Sequence, residues 1–350
     1  MTSLLFVGGG SIGHIAPAVA VARALTKLHP SLTVHFVCSM REEDEAFLLK
    51  EGIHPTCLDA PRLSFGFPWK FYRAYRRSLT LLDTLHPKAI FSKGGYVSLP
   101  VCFAAHGMSI PIILHESDAV SGYANRLVAR WAADICLGFP DSAKRKIQPH
   151  ITGNPVRPGV DVGNRTEGLR LTGLSGNRPI LLVMGGSQGA EALNAFIRTH
   201  IDELLAFCDI IHLTGPGKTG VQERRTGYWT RAFAHEEIRH LYAASTLALS
   251  RAGASAIAEL GANGIPSVLV PLRGAAHDHQ CANASKAKES GGCMIIQQRD
   301  MERTLLPKLR SLALDSALLQ TMGTKMRTLT SPDAALQIAK VIARHLAPDE

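Results

Sequence analysis

Three glycine-rich turns and one polar helix face hold the residue types that do chemistry. Gly8-Gly9-Gly10-Ser11-Ile12-Gly13-His14 follows a short apolar strand, and an alanine-rich run, Ala16–Leu25, comes after it with Pro17 in its first turn. Backbone N–H groups in such a turn, and the positive end of the helix behind it, suit a phosphate or a developing negative charge. A tight strand-to-helix turn without a ligand reads the same way. Gly185-Gly186-Ser187-Gln188-Gly189-Ala190 repeats the form, though not the spacing, after another apolar strand. Neither turn is a Walker loop, because no G-K-[ST] follows. The first fits G-x-G-x-x-G by spacing alone. Cys38-Ser39 stand where a dinucleotide site wants an acid, which argues against a dehydrogenase.

A third turn runs Ser250-Arg251-Ala252-Gly253-Ala254-Ser255-Ala256-Ile257-Ala258-Glu259. Glu259 falls about one helical turn in, where a carboxylate can accept both hydroxyls of a ribose or simply complement the helix dipole. In Ala276-His277-Asp278-His279-Gln280-Cys281-Ala282-Asn283 the His-x-His pair lacks a further ligand at useful spacing, so no metal is expected. Gln280 and Asn283, at i and i+3, read as a polar face toward a sugar. Pro61–Thr80 holds six of the 21 aromatic residues, five basic residues and no acid. At 100° per residue Lys70, Arg73 and Arg77 share one helix face, with Tyr72, Tyr75 and Leu79 opposite. That pattern fits a membrane headgroup layer, or a core helix with a solvated basic face.

The elements that must position these residues are strands and helices in alternation. Strands are expected at Leu4–Val7, Val34–Cys38, Ala89–Phe91, Ile112–Leu114 and Ile135–Leu137. The pattern restarts at Ile180–Met184, Ile210–Leu213, Leu247–Leu249, Ser267–Val270 and, more weakly, Met294–Ile296. Thr152–Asn164, rich in proline and glycine, reads as the linker between two doubly wound α/β domains. A last helix, about Asp333–Ala347, is expected to pack back on the first domain. Ligands in such sheets bind outside the strands' carboxyl ends.

Composition agrees with two globular domains. The chain has 350 residues, 46% hydrophobic and 19% charged, with net charge +9 spread over both halves. The basic excess fits an anionic ligand or lipid surface, and no nucleic-acid-binding signature accompanies it. The seven cysteines are scattered and never in C-x-x-C spacing, which points to a reducing compartment without a disulfide framework. MTSLLFVGGG has no basic n-region and no apolar run approaches the ~18–20 residues of a membrane span. A cytoplasmic location is expected, with contact to a membrane face left open.

Taken in order from Gly9 to Asn283, the segments GGSIGHIAP, GGYVSLP, HESDAVSGYANR, GNPVRP, MGGSQGA, SRAGASAIAELGANGIP and DHQCANA resemble the bacterial MurG family. The resemblance implies the GT-B fold: two doubly wound Rossmann-like α/β domains facing across a cleft. It implies an inverting transferase moving N-acetylglucosamine from UDP-N-acetylglucosamine to undecaprenyl-diphosphate-N-acetylmuramoyl-pentapeptide (lipid I), forming lipid II for peptidoglycan. Such an enzyme serves cell wall biogenesis, shape and division from the cytoplasmic face of the inner membrane, with no cofactor. Residues 1–161 would form the acceptor and membrane-facing domain, joined by a helix returning at about 334–350, and 162–333 the donor domain.

Residue by residue, Ser11, Ile12 and Gly13 would line the donor diphosphate, Ile12 standing where the family usually has glycine. His14 and Glu116 are the candidate general bases. Asp118 replaces an asparagine of the usual HEQN loop, adding a charge; Asn125 and Arg157 match later family positions. In the second domain Ser187 and Gln188 would meet the diphosphate, and Ala254, Ser255, Ala256, Ile257, Ala258 and Glu259 the phosphate and ribose. His235 falls where the family's backbone recognises uracil, and Gln280 on the donor sugar. Trp69, Lys70, Arg73, Arg76 and Arg77 would face lipid. Two alternatives share the fold: a UDP-N-acetylglucosamine 2-epimerase and a degenerate UDP-sugar-binding protein.

Overall fold

The computed structural model describes residues 2–10, 12–62, 66–140, 147–221, 224–274 and 278–346. Ser11, His277 and Ala347 lie outside the described residues. The chain divides into two compact units, Met1–Arg157 with Ser331–Glu350, and Pro158–Thr330.

The first unit holds a parallel sheet of β1 (Ser3–Val7), β2 (Thr33–Ser39), β3 (Thr56–Leu58), β4 (Ala89–Ser92), β5 (Ile112–Glu116), β6 (Asp134–Leu137) and β7 (His150–Ile151). Its order is β3-β2-β1-β4-β5-β6-β7. Side chains alternate between the two sheet faces along each strand. One face, with Leu4, Phe6, Phe36, Phe91 and Ile113, is buried with residues of α1 (Ile12–Leu28), α2 (Glu42–Lys50) and α14 (Ala334–Ala343). The other, with Leu5, Val7, Ile90, Ile112 and Leu114, is buried with α3 (Phe67–Leu85), α4 (Ser98–Gly107) and α5 (Tyr123–Val128). The α14 residues Ile338, Ala339, Val341 and Ile342 share the core of α1, which is why the chain's end belongs to this unit. Helix α1 starts at Ile12, so Pro17 falls in its second turn rather than its first.

The second unit contains β8 (Ile180–Met184), β9 (Asp209–Leu213), β10 (Tyr228–Arg231), β11 (Leu247–Ser250), β12 (Ser267–Leu269) and β13 (Cys293–Ile295). The order is β10-β9-β8-β11-β12-β13, again with parallel pairs throughout. Its helices include α6 (Arg165–Thr172), α7 (Glu191–Thr199), α8 (Ile201–Leu205), α9 (Ile238–Ala244), α10 (Ala254–Asn263), α11 (His279–Glu289), α12 (Met301–Ala313) and α13 (Ser316–Arg327).

The division falls at Arg157 and Ser331, not at 161 and about 334. The reason lies in residues 158–161: an added Cβ at Gly159 would stand 4.0 Å from Arg239 Nη1 of α9, and Val160 is buried. The latter part of the expected linker is therefore already packed on the second unit. Strands β3, β7 and β10 were not expected: they lie at sheet edges, are mostly exposed or half-buried, and lack the continuous apolar run of strands buried on both faces.

Candidate active site

Each sheet reverses its strand order once, between β1 and β4 in the first unit and between β8 and β11 in the second. Ligands of open α/β sheets bind at such switch points, outside the strands' carboxyl ends. The glycine turns lie there: Gly8–Gly10 follows β1, Lys93-Gly94-Gly95 follows β4, Gly185–Gly189 follows β8, and Arg251-Ala252-Gly253 follows β11.

In the first unit a carboxylate holds the opening turn. Asp44 Oδ2 accepts from the Gly10 N–H and from Ser39 Oγ, each at 2.6 Å. Arg41 Nη1 donates to the Gly10 carbonyl at 2.8 Å. The Gly10 N–H, expected to face a phosphate, is thus bound to the protein itself. The positive end of α1, with Ile12, Gly13 and His14 in its first turn, stays at the switch point. Positive φ falls at Gly10 (90°), and Ile12 lies in the helix, so no glycine is needed there for backbone conformation. Half-buried His14 packs against Gly95, whose added Cβ would stand 3.3 Å from His14 Nδ1.

β5 ends on His115 and Glu116, both buried. Glu116 Oε1 accepts from the Asp118 N–H (3.0 Å) and Oε2 from Asn125 Nδ2 (2.8 Å). Burial raises the Glu116 carboxyl above its ordinary range. Glu116 therefore braces the loop through both oxygens. Asn125 lies over Gly94 (φ 82°), where a Cβ would meet its Oδ1 at 2.2 Å. That buried Oδ1 has no hydrogen-bond partner among the described residues. Half-buried Asp118 sits in the same loop, and half-buried Arg157 ends the unit's first segment.

In the second unit backbone packs on backbone. An added Cβ at Gly189 (φ 67°) would stand 2.0 Å from the Thr214 carbonyl, and one at Gly185 would stand 2.1 Å from Ala190 N. Ser187 is half-buried and Gln188 exposed; the Gln188 carbonyl accepts from Lys218 Nζ. At the start of α10, Ser255 and Ala256 are half-exposed, whereas Ala254, Ile257 and Ala258 are buried. Ile257 N–H closes onto the Gly253 carbonyl (3.0 Å). Glu259, 7% exposed, accepts from the Tyr242 hydroxyl at 2.8 Å.

His235 is exposed, and its backbone N–H donates to Glu237 Oε2 (3.1 Å). Gln280 Oε1 accepts from the Leu272 N–H (3.0 Å). Asn283 is fully buried and donates to the Ala252 carbonyl (3.2 Å). The expected sugar-facing pair is corrected there: Asn283 supports the third turn from inside.

Helix α3 exposes Trp69, Lys70, Arg73, Arg76 and Arg77. Its buried seam is Ala74, Ser78 and Leu82, at i, i+4 and i+8. Tyr72, placed by its angle with the apolar residues, is instead 48% exposed beside Trp69 (68%), their rings 6.2 Å apart. Behind them Phe71, Tyr75 and Trp131 gather on Phe103 at 5.3–6.1 Å. Among the described residues no helix is long and apolar enough to cross a membrane.

Sequence reasoning gave no role to Ser117, Asn154 and Arg251, though they lie in the segments it singled out, and missed Asp44, Lys93 and Tyr242 altogether. Lys93 and Arg251 had one legible signal: each is the first residue after the strand across the switch point. The others act through neighbours remote in sequence, and no spacing marks them.

Residues 4–137 match the glycosyltransferase family 28 N-terminal domain, and 180–338 the family's C-terminal domain. A Clostridium botulinum protein named UDP-N-acetylglucosamine--N-acetylmuramyl-(pentapeptide) pyrophosphoryl-undecaprenol N-acetylglucosamine transferase is 34% identical over 324 residues. The match covers 89% of this chain and 91% of that protein. The chain belongs to the MurG family. A solved MurG from Acinetobacter baumannii, 25% identical, superimposes with a TM-score of 0.76 over 98% of this chain and 99% of its own. The units described above are the two Rossmann-like halves of the GT-B fold, and the chain is a glycosyltransferase. A putative UDP-N-acetylglucosamine 2-epimerase from Listeria monocytogenes (TM-score 0.72, 13% identity, 98% and 96% coverage) shares the fold alone.

Proposed function

We infer that this chain transfers N-acetylglucosamine from UDP-N-acetylglucosamine to lipid I, producing lipid II in peptidoglycan synthesis. The observation that carries this reading is similarity to the named transferase across both units at once. The donor is assigned to the second unit and the acceptor to the first.

Inversion at the anomeric carbon needs a hydroxyl that loses its proton and a UDP group that leaves with added charge. The half-buried His14 at the N-terminus of α1 is the proposed base. A ring nitrogen of the neutral imidazole would accept the proton of the acceptor hydroxyl. Glu116, already accepting through both oxygens, holds Asn125 and Asp118 in place. In the second unit Glu259 is assigned to the ribose, and Ser187 with the first turn of α10 to the diphosphate. Fixed dipoles there stabilise charge on the leaving group without reorganising.

The exposed aromatic and basic residues of α3 support docking on the cytoplasmic face of the inner membrane. Their rings suit the headgroup interface and their cations the anionic lipids. The enzyme would thereby reach an acceptor anchored in the bilayer, and serve cell shape and division.

Labelled N-acetylglucosamine, supplied as the UDP-sugar, should appear on a lipid I analogue, with UDP released only when the acceptor is present. Release of UDP at the same rate without acceptor would reject the transferase and favour the epimerase.

A further inference from the structure

Lys93 is 2% exposed, and its backbone N–H donates to the Val7 carbonyl (2.9 Å), which fixes it at the switch point of the first sheet. Its Nζ lies 2.7 Å from His115 Nδ1 and donates to Ser117 Oγ at 2.5 Å. His115 Nε2 faces the Gly153 carbonyl at 3.1 Å. A carbonyl only accepts, so Nε2 carries the ring proton and Nδ1 is the acceptor for the ammonium. The Ser117 carbonyl accepts in turn from Asn154 Nδ2 (2.9 Å). Lys93 thus grips alternate residues of the segment His115-Glu116-Ser117-Asp118, whose other two residues are acids. Two carboxylates in one short loop repel an incoming diphosphate unless a cation offsets them.

We propose that Lys93 is a positioning residue of the acceptor side: held by His115 and Ser117, it fixes the 115–118 segment and cancels the charge that Asp118 adds. This rests on reading that segment as the acceptor side. Lys93 touches no reacting atom; it sets where Asp118 and Glu116 sit and how negative their surroundings are. Burial lowers its pKa to about 8, while Glu116, Asp118 and Cys136 pull it back upward. His115 is held neutral by burial first and by the neighbouring charge of Lys93.

Two measurements test this. The first is steady-state kinetics with a soluble lipid I analogue on Lys93→Met, alone and with Asp118→Asn. Lys93→Met should raise the acceptor KM about 10- to 100-fold, the size of a lost charged hydrogen bond, with the donor KM within about twofold. In the Asp118→Asn background the same change should cost less than about threefold. Equal losses in both backgrounds overturn the charge offset. The second is histidine 15N NMR on the wild-type protein, which stands even if the variant does not fold. His115 should appear as the neutral Nε2–H form through pH 6–7. Its Nδ1 signal should then shift with a midpoint near the Lys93 value of about 8. A His115 that titrates near 6.5, or carries its proton on Nδ1, overturns the contact. If NMR agrees but Lys93→Met raises the donor KM instead, the Lys93 grip stands and the acceptor assignment fails.

Discussion

After β1 the glycine turn is tied down by a carboxylate: Asp44 takes the Gly10 N–H and Arg41 the Gly10 carbonyl. After β8 the corresponding turn is held by close backbone contact, Gly189 against Thr214 and Gly215. The residues across the two switch points differ in the same sense. Lys93 is a buried cation beside two acids, whereas Arg251 Nη1 donates to the Val270 carbonyl (3.0 Å) and Nη2 to Gln298 Oε1 (2.6 Å). One topology therefore supports a titratable, charge-balanced site in the first unit and a charge-fixed, close-packed one in the second. That suits the tasks proposed for them: proton removal at the acceptor, and a constant grip on a nucleotide.

The sharpest way to break this comparison is His14→Ala. Loss of a general base costs about 10²–10⁴ in kcat, and calorimetric UDP affinity should stay within about twofold. A fall in UDP affinity with kcat intact would make His14 a donor-positioning group and erase the division of labour.

The surface of α3 offers the next largest effect. Replacing Arg73, Arg76 and Arg77 by Gln should weaken binding to anionic vesicles by about two orders of magnitude, at about 1 kcal/mol for each charge. UDP affinity should not change. Wild-type binding should fall with salt without vanishing, because the proposed insertion of Trp69 and Tyr72 would add a part that salt does not screen. Equal co-sedimentation of variant and wild type at low salt would return α3 to an ordinary solvated helix.

Glu259→Ala is expected to weaken UDP binding by about 1–3 kcal/mol, and Tyr242→Phe, which only removes a hydroxyl that holds Glu259, by about 0.5–1.5 kcal/mol. Neither should alter the acceptor KM. If the two variants leave UDP titrations unchanged, the ribose assignment in the second unit is wrong.

The most gradual effect is a pH slope in stability. The Lys93 pKa is lowered from 10.5 to about 8 in the folded chain. Between those values the unfolded chain binds the extra proton, so stability rises with pH there. The penalty of the buried ammonium is fully present below pH 8 and relieved toward 10.5. Urea unfolding of wild type against Lys93→Met should show a difference growing by up to about 1.4 kcal/mol per pH unit. Burial lowers the Arg251 guanidinium from its ordinary value, but arginine starts so high that it stays charged across this range, so Arg251→Met should shift stability by a constant amount. Parallel curves for Lys93→Met would remove the titratable character assigned to the first unit.

The sequence by itself determined the two doubly wound sheets and the strand-to-helix turns at their switch points. Long apolar strands and glycine at positions of positive φ or backbone contact are local demands, written into neighbouring residues. It also offered Glu259, one turn into its helix, as a carboxylate for a ribose, and the resemblance to the MurG family marked His14 and Glu116 as candidate bases. It did not show what those groups touch. That Glu116 spends both oxygens on its own loop, that Asn283 points inward, and that Tyr72 stands outside depends on neighbours far along the chain. The same holds for Asp44, 34 residues from Gly10, and for Lys93, 22 from His115. A hydrogen bond or ion pair across such a distance leaves no period or spacing in the chain. Only the packed sheet brings the two ends within 3 Å and decides which charge is balanced and which is left to titrate.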